Sequence, residues 1–81
     1  MKEYTAMSRF IDNTESLRLE QGWTIQALAD HIDMLRPQLS NVLSGKNSPT
    51  LDTMERIAKG LGVDVQDLLN KQRKKQLSNS A

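Results

Sequence analysis

The stretch Ile25–Gly45, IQALADHIDMLRPQLSNVLSG, constrains the fold more than any other part of the chain. Apolar residues recur within it twice at helical spacing, first as Leu28, Ala29 and Ile32 and then as Leu39, Val42 and Leu43, with a break at Asp33. No room is left between the stripes for a long loop. Two short helices must therefore meet at a tight turn and bury their stripes together. Ala29 fits the place where they cross, because a small side chain lets two helix backbones approach, and Leu39 and Val42 face that crossing.

The 81 residues amount to one small domain, which buries about 60% of the surface its unfolded chain exposes. There is no cysteine, so neither a disulfide framework nor a thiolate metal centre can staple it, and helix-on-helix packing must supply the stability. No apolar run approaches the roughly 20 residues of a membrane span, and the N-terminus lacks the basic-then-apolar order of a secretory signal. A cytoplasmic protein without a membrane partner is expected. One histidine, no glycine-rich phosphate loop and no residues at metal-ligand spacing give no support for an enzyme, so no catalytic residue, cofactor or metal is expected. His31 reads as a surface residue.

Taken in order, residues 1–8 have no clear period and read as an N-terminal arm or a frayed first turn. From Arg9 to Gln21 the residues Phe10, Thr14 and Leu17 share a helical face with Ile11 beside them, and Gly22 follows as the residue best suited to a left-handed helix end. Thr24 is the N-cap of a second helix reaching Ile32, with Trp23 packing across its start onto Leu28. The third helix runs from near Arg36 to Gly45. Pro37 suits a first helical position and pushes the residue before it out of helical geometry, which makes Arg36 the cap, with Leu35 the other candidate.

After the loop KNSP, Thr50 caps a fourth helix whose stripe is Leu51, Met54, Ile57, Ala58 and Leu61, with Asp52 in its positive first turn and Gly62 at its end. Gly60 inside this helix costs about 1 kcal/mol relative to alanine, which a close helix approach would explain. Asp64 and Asp67 resemble a capping box ahead of a fifth helix carrying Val65, Leu68 and Leu69. The domain thus spans 9–70. Residues 71–81 hold Lys71, Arg73, Lys74 and Lys75 and a single leucine, Leu77, and read as a basic, disordered tail.

Charge is unevenly placed. The net charge is +1, but those four tail cations are balanced by none of the ten Asp/Glu, so the domain itself is slightly acidic. Charge balance argues against a globally basic nucleic-acid binder, and any electrostatic footprint must be local. From Met34 to Leu51 there is no acidic residue, while Arg36 and Lys46 lie inside that window. The third helix within it carries Gln38, Ser40, Asn41 and Ser44, polar and uncharged. Such a face is either solvated or able to meet base edges, since Asn and Gln pair adenine in bidentate fashion. Asp12, Glu15, Glu20 and Asp30 read as a solvated outer face that keeps nucleic acid off the other side.

Three blocks of residues carry a family resemblance: LRLEQGW leading into TIQALADHI, the LSNVLSGK end of the third helix, and PTLDTMERIAKGLGVDVQDLL. Over Leu17 to Leu69 the chain resembles the Cro and phage-repressor type of helix-turn-helix DNA-binding domain. The fold this implies is all-α, a compact, lambda-repressor-like five-helix bundle. The function it implies is a sequence-specific transcriptional regulator, a repressor-like or controller protein that dimerises on a palindromic operator and lays its third helix in the major groove of double-stranded DNA. Carried over position by position, Arg36, Gln38 and Asn41 match base-contacting positions, and Thr24, Ser40, Ser44, Lys46, Asn47 and Ser48 match positions near the backbone. Val63, Val65 and Leu69 are candidates for a homodimer interface, with domain core as the competing reading.

The sequence departs from the family pattern where function is concentrated. Asp33 stands at the turn position usually held by glycine. Ile25 replaces a glutamine that touches a phosphate, and Pro37 replaces a frequent base reader. The cap of the third helix lacks its usual Ser or Thr. Arg18 lacks its usual glutamate partner, because Leu43 stands there, so it must find another acceptor or stay solvated. The competing function is a protein-interaction module on the same fold, such as an antitoxin for which DNA binding is secondary. An apolar surface patch around Leu19 or Leu77 would favour it.

Overall fold

The computed structural model describes residues 5–70. Five helices follow one another, α1 (Ala6–Gln21), α2 (Ile25–His31), α3 (Arg36–Leu43), α4 (Leu51–Leu61) and α5 (Val65–Leu69), with no strand among the described residues. The all-α five-helix bundle expected from the sequence is the fold observed. No helix among the described residues is long and apolar enough to cross a membrane.

α1 starts at Ala6 rather than Arg9. Thr5 is extended and its hydroxyl accepts the Ser8 amide at 3.1 Å, which satisfies one of the orphan donors of the first turn and adds residues 6–8 to the helix. The rest of the expected arm, residues 1–4, and the expected tail, 71–81, lie outside the described residues.

Every helix contributes to one core. Phe10 and Leu17 come from α1, Leu28 and Ala29 from α2, Leu39, Val42 and Leu43 from α3, Ile57, Ala58 and Leu61 from α4, and Leu68 from α5. Leu51, read as the start of the α4 stripe, is instead 60% exposed. It occupies the first helical position at the edge of the stripe, nearly two turns before the buried residues begin at Ile57. Gly60 has the expected explanation. A Cβ built on it would collide with Cγ2 of Ile32 and lie 3.4 Å from Cδ2 of His31, so only glycine lets α4 meet the end of α2.

α1 also holds the ends of α4 and α5 through side chains. Helix C-termini leave carbonyls without intrahelical partners, and a helix as short as α5 consists largely of such ends. Asn13, buried in α1, donates Nδ2 to the carbonyls of Leu68 and Asn70, each at 3.0 Å, and Arg9 Nε donates to the Leu69 carbonyl at 2.9 Å. Gln21 Nε2 donates to the Leu61 carbonyl at the end of α4, at 2.9 Å. Arg18 finds its substitute acceptors nearby. Its guanidinium forms a two-pronged pair with Glu15 and donates to the Trp23 carbonyl at 2.7 Å, just ahead of the α2 cap. The Glu15 hydrogen bond holds the guanidinium above its ordinary pKa; burial opposes this and charge attraction adds to it. Glu15 is therefore half-buried and paired rather than part of a freely solvated acidic face.

Candidate nucleic-acid interface

α2 starts cleanly because the Thr24 hydroxyl accepts the Ala27 amide at 3.0 Å. Trp23, half-buried as expected, donates Nε1 to Gln21 Oε1 and stacks on His31, with ring centroids 4.6 Å apart. His31 is exposed and serves that stack.

The turn after α2 is made by Asp33 at φ 60°, a left-handed conformation that aspartate tolerates better than most residues. The chain can then reverse so that the Met34 amide reaches back to the Ala29 carbonyl at 2.8 Å. Ala29 is fully buried, as are Leu28 and Leu39, and this pins α3 against α2.

Of the two candidate caps of α3, the structure uses the one not preferred from the sequence. Leu35, not Arg36, is the N-cap, extended at φ −74°, ψ 140°, and Arg36 is the first helical residue. Pro37 then takes the second position, where a missing N–H costs no hydrogen bond because that donor is an orphan in any helix. Leucine has no oxygen to cap with. Gln38 compensates by folding back, its Oε1 accepting the Leu35 amide over a long 3.4 Å. A glutamine three residues past a cap is the second half of a capping box, so this contact was open to sequence reasoning that had placed the cap correctly. The Asp64–Asp67 box is likewise half-formed. Asp67 accepts the Asp64 amide at 3.2 Å, and the Asp64 side chain makes no cap bond.

At 100° per residue, Leu39, Val42 and Leu43 occupy the buried side of α3, and Pro37, Asn41 and Ser44 form the stripe opposite. Gln38 and Ser40 flank that stripe. Arg36, Gln38 and Ser44 are exposed, while Ser40 and Asn41 are half-buried. The Asn41 side-chain amide makes no hydrogen bond with the described residues. Its backbone carbonyl does the opposite, accepting from Lys46 N at 2.9 Å, Asn47 N at 3.3 Å and Ser44 Oγ at 3.2 Å. With Gly45 at φ 85°, this carbonyl ties the exposed residues Lys46 and Asn47, and Ser48 after them, to the end of α3. Sequence reasoning placed these loop residues near the helix but had no signal for the carbonyl that anchors them.

The site therefore joins α3 and its following loop in a window with two cations, Arg36 and Lys46, and no carboxylate. Thr24, at the start of α2, is exposed as well. The proposed interface residues Val63, Val65 and Leu69 are on another part of the molecule, half-buried and packed against the core, with Val63 and Val65 lining a shallow groove beside Ala58. No group of three or more His, Cys, Asp or Glu among the described residues could hold a metal ion.

A family model described as Helix-turn-helix matches residues 15–68, from the second half of α1 to α5. The chain belongs to this helix-turn-helix family. The Cro and phage-repressor resemblance of its motifs is thereby upheld. The helix-turn-helix region is 33% identical over 58 residues to the HTH-type transcriptional regulator SutR of Escherichia coli (strain K12), covering 70% of this chain and 33% of that protein. It is 30% identical over 61 residues to the HTH-type transcriptional regulator DdrOP3 of Deinococcus deserti, covering 75% of this chain and 47% of that one. The chain thus spans less than half the length of these two relatives.

Among solved structures, the helix-turn-helix bundle superposes on a hypothetical transcription factor NHTF from Neisseria with a TM-score of 0.79 at 26% identity, covering 86% of this chain and 80% of that one. It superposes on the restriction-modification controller protein C.Esp1396I with a TM-score of 0.73 at 27% identity, covering 83% and 90%. The four proteins named are transcriptional regulators, a hypothetical transcription factor and a controller protein.

Proposed function

We propose that the chain is a sequence-specific transcriptional regulator of double-stranded DNA, acting as a homodimer on a palindromic operator with α3 in the major groove. The observation that carries this reading is the outward face of α3: an uncharged polar stripe with an unengaged amide at its centre, held rigidly on a buried apolar seat, in a window free of acid. Asn41 is the principal base reader. Its amide offers one donor and one acceptor side by side, which matches N7 and N6 of adenine. Gln38 reads from the flank, and Arg36, at the leading end of the helix, reaches a base or the phosphate beside it. Thr24, Ser40, Ser44, Lys46, Asn47 and Ser48 hold the backbone and set the register without reading sequence.

Each bidentate base contact discriminates by about 1–3 kcal/mol, so one protomer with two or three contacts is too weak for a unique site. Two protomers joined through Val63, Val65 and Leu69, with half-sites about 34 Å apart, supply the rest. The likeness of the bundle to a restriction-modification controller protein supports the regulator reading. Selection from a random duplex pool tests the proposal. Enrichment of a two-fold symmetric site is the expected result, and a pool that stays random after repeated rounds rules the proposal out.

A further inference from the structure

We infer that Leu35 is a specificity-determining residue that recognises the C5-methyl group of a thymine in each half-site. The inference rests on the DNA-binding reading above and assigns a role to a residue that reading leaves unused.

Leu35 is the most exposed large apolar side chain among the described residues, at 71%. It stands at the N-cap of α3, where Ser, Thr, Asp or Asn would satisfy a helix amide and leucine cannot. Folding therefore gains nothing from leucine at this position. Neither burial nor capping explains it, and Gln38 has to turn back to cover the Leu35 amide.

The placement is informative. A helix lying in the major groove presents its N-terminal residues to the base edges, and Leu35 is immediately ahead of Arg36 at that end of α3. Arg36 is exposed, and no acidic residue lies between Met34 and Leu51 to repel phosphate. A leucine side chain has no hydrogen-bonding atom. The one apolar feature that the major-groove edges offer it is the methyl group of thymine.

Single-atom changes in the DNA separate this contact from every other. In the selected operator, each thymine is replaced in turn by deoxyuridine, which removes the methyl group and keeps every hydrogen-bonding atom. Binding of the wild-type chain and of Leu35→Ser is then measured. Serine restores a capping hydroxyl, so this variant folds, and its circular dichroism and urea midpoint verify that.

For the wild-type chain, one thymine per half-site should lose about fourfold in affinity on conversion to deoxyuridine, the effect of one buried methyl group. For Leu35→Ser the same conversion should have no effect. An equal loss in both proteins, or no sensitive thymine in the wild-type titration, overturns the inference while leaving the DNA-binding reading intact. A change of oligomeric state in Leu35→Ser with the thymine effect retained assigns Leu35 to a protein contact and also overturns it. Failure of the wild-type chain to bind any duplex selectively overturns the DNA-binding reading, and this inference falls with it.

Discussion

Thr14 is fully buried in α1, and its hydroxyl has no hydrogen-bond partner among the described residues. A buried, unpaired hydroxyl costs about 1–3 kcal/mol, and valine has nearly the same shape without the polar atom. Thr14→Val should therefore raise stability by about 1 kcal/mol, read as a higher urea midpoint at unchanged slope. A lower midpoint would mean that the hydroxyl is satisfied after all. Asn13, one residue earlier, shows the opposite use of a buried polar group, with Nδ2 shared between two carbonyls. Asn13→Ala should cost about 1–3 kcal/mol, because it leaves both carbonyls unpaired. Hydrogen exchange should show that cost first at the amides of α5. Uniform loss of protection across all helices would contradict a role local to α5. Neither role was visible in the sequence. Thr14 was correctly placed on the inward face of α1, but periodicity gives a direction and not a partner, and Asn13 lies beside the apolar positions that define the stripe.

At the scale of elements, the approach of α4 to the end of α2 depends on Gly60. Alanine there gains about 1 kcal/mol of helix propensity, whereas its methyl group would push into Ile32, a β-branched side chain that is 6% exposed and has little freedom to move. Overpacking of this kind costs about 1–3 kcal/mol, so Gly60→Ala should be net destabilising. A thermal midpoint at or above the wild-type value would contradict the close packing.

This contact was legible beforehand, since a glycine inside a strongly periodic helix asks for an explanation. Most of the helix boundaries were legible for similar reasons, with Gly22, Thr24, Thr50 and Gly62 acting through chemistry local to each position. Two boundaries were misread. The cap at Thr5 sits in a stretch without apolar period, and of the two candidate caps of α3 the preferred one, Arg36, proved to be the first helical residue, because proline tolerates either of the first two helical positions. With Arg36 preferred over Leu35 as the cap, Gln38 was not recognised as the side chain that compensates for a leucine there. The short gap between the stripes asks for a tight turn at Asp33, and the family resemblance, which puts glycine there, implies its left-handed backbone.

At the scale of the molecule, the proposed function follows from an uneven distribution of charge around the neutral outward face of α3. The described carboxylates lie outside the window from Met34 to Leu51, so the side proposed to face DNA is marked as much by missing acids as by Arg36 and Lys46. Phosphate contacts release counterions, and affinity for a selected operator should fall linearly with salt on logarithmic axes, with a slope of about −0.9 for each phosphate neutralised. A flat salt response would contradict groove binding through this window.

Sequence preference is a separate quantity, and in the proposed reading it rests on the amide at the centre of the outward stripe of α3. The direct measurement compares the wild-type chain with Asn41→Ala on the selected operator, on operators changed at single base pairs, and on a random duplex. The account predicts that Asn41→Ala loses about 1–3 kcal/mol of preference at one base pair in each half-site while its affinity for random DNA stays nearly unchanged. Equal weakening on every duplex would make Asn41 a backbone contact and contradict the claim that this face of α3 reads sequence.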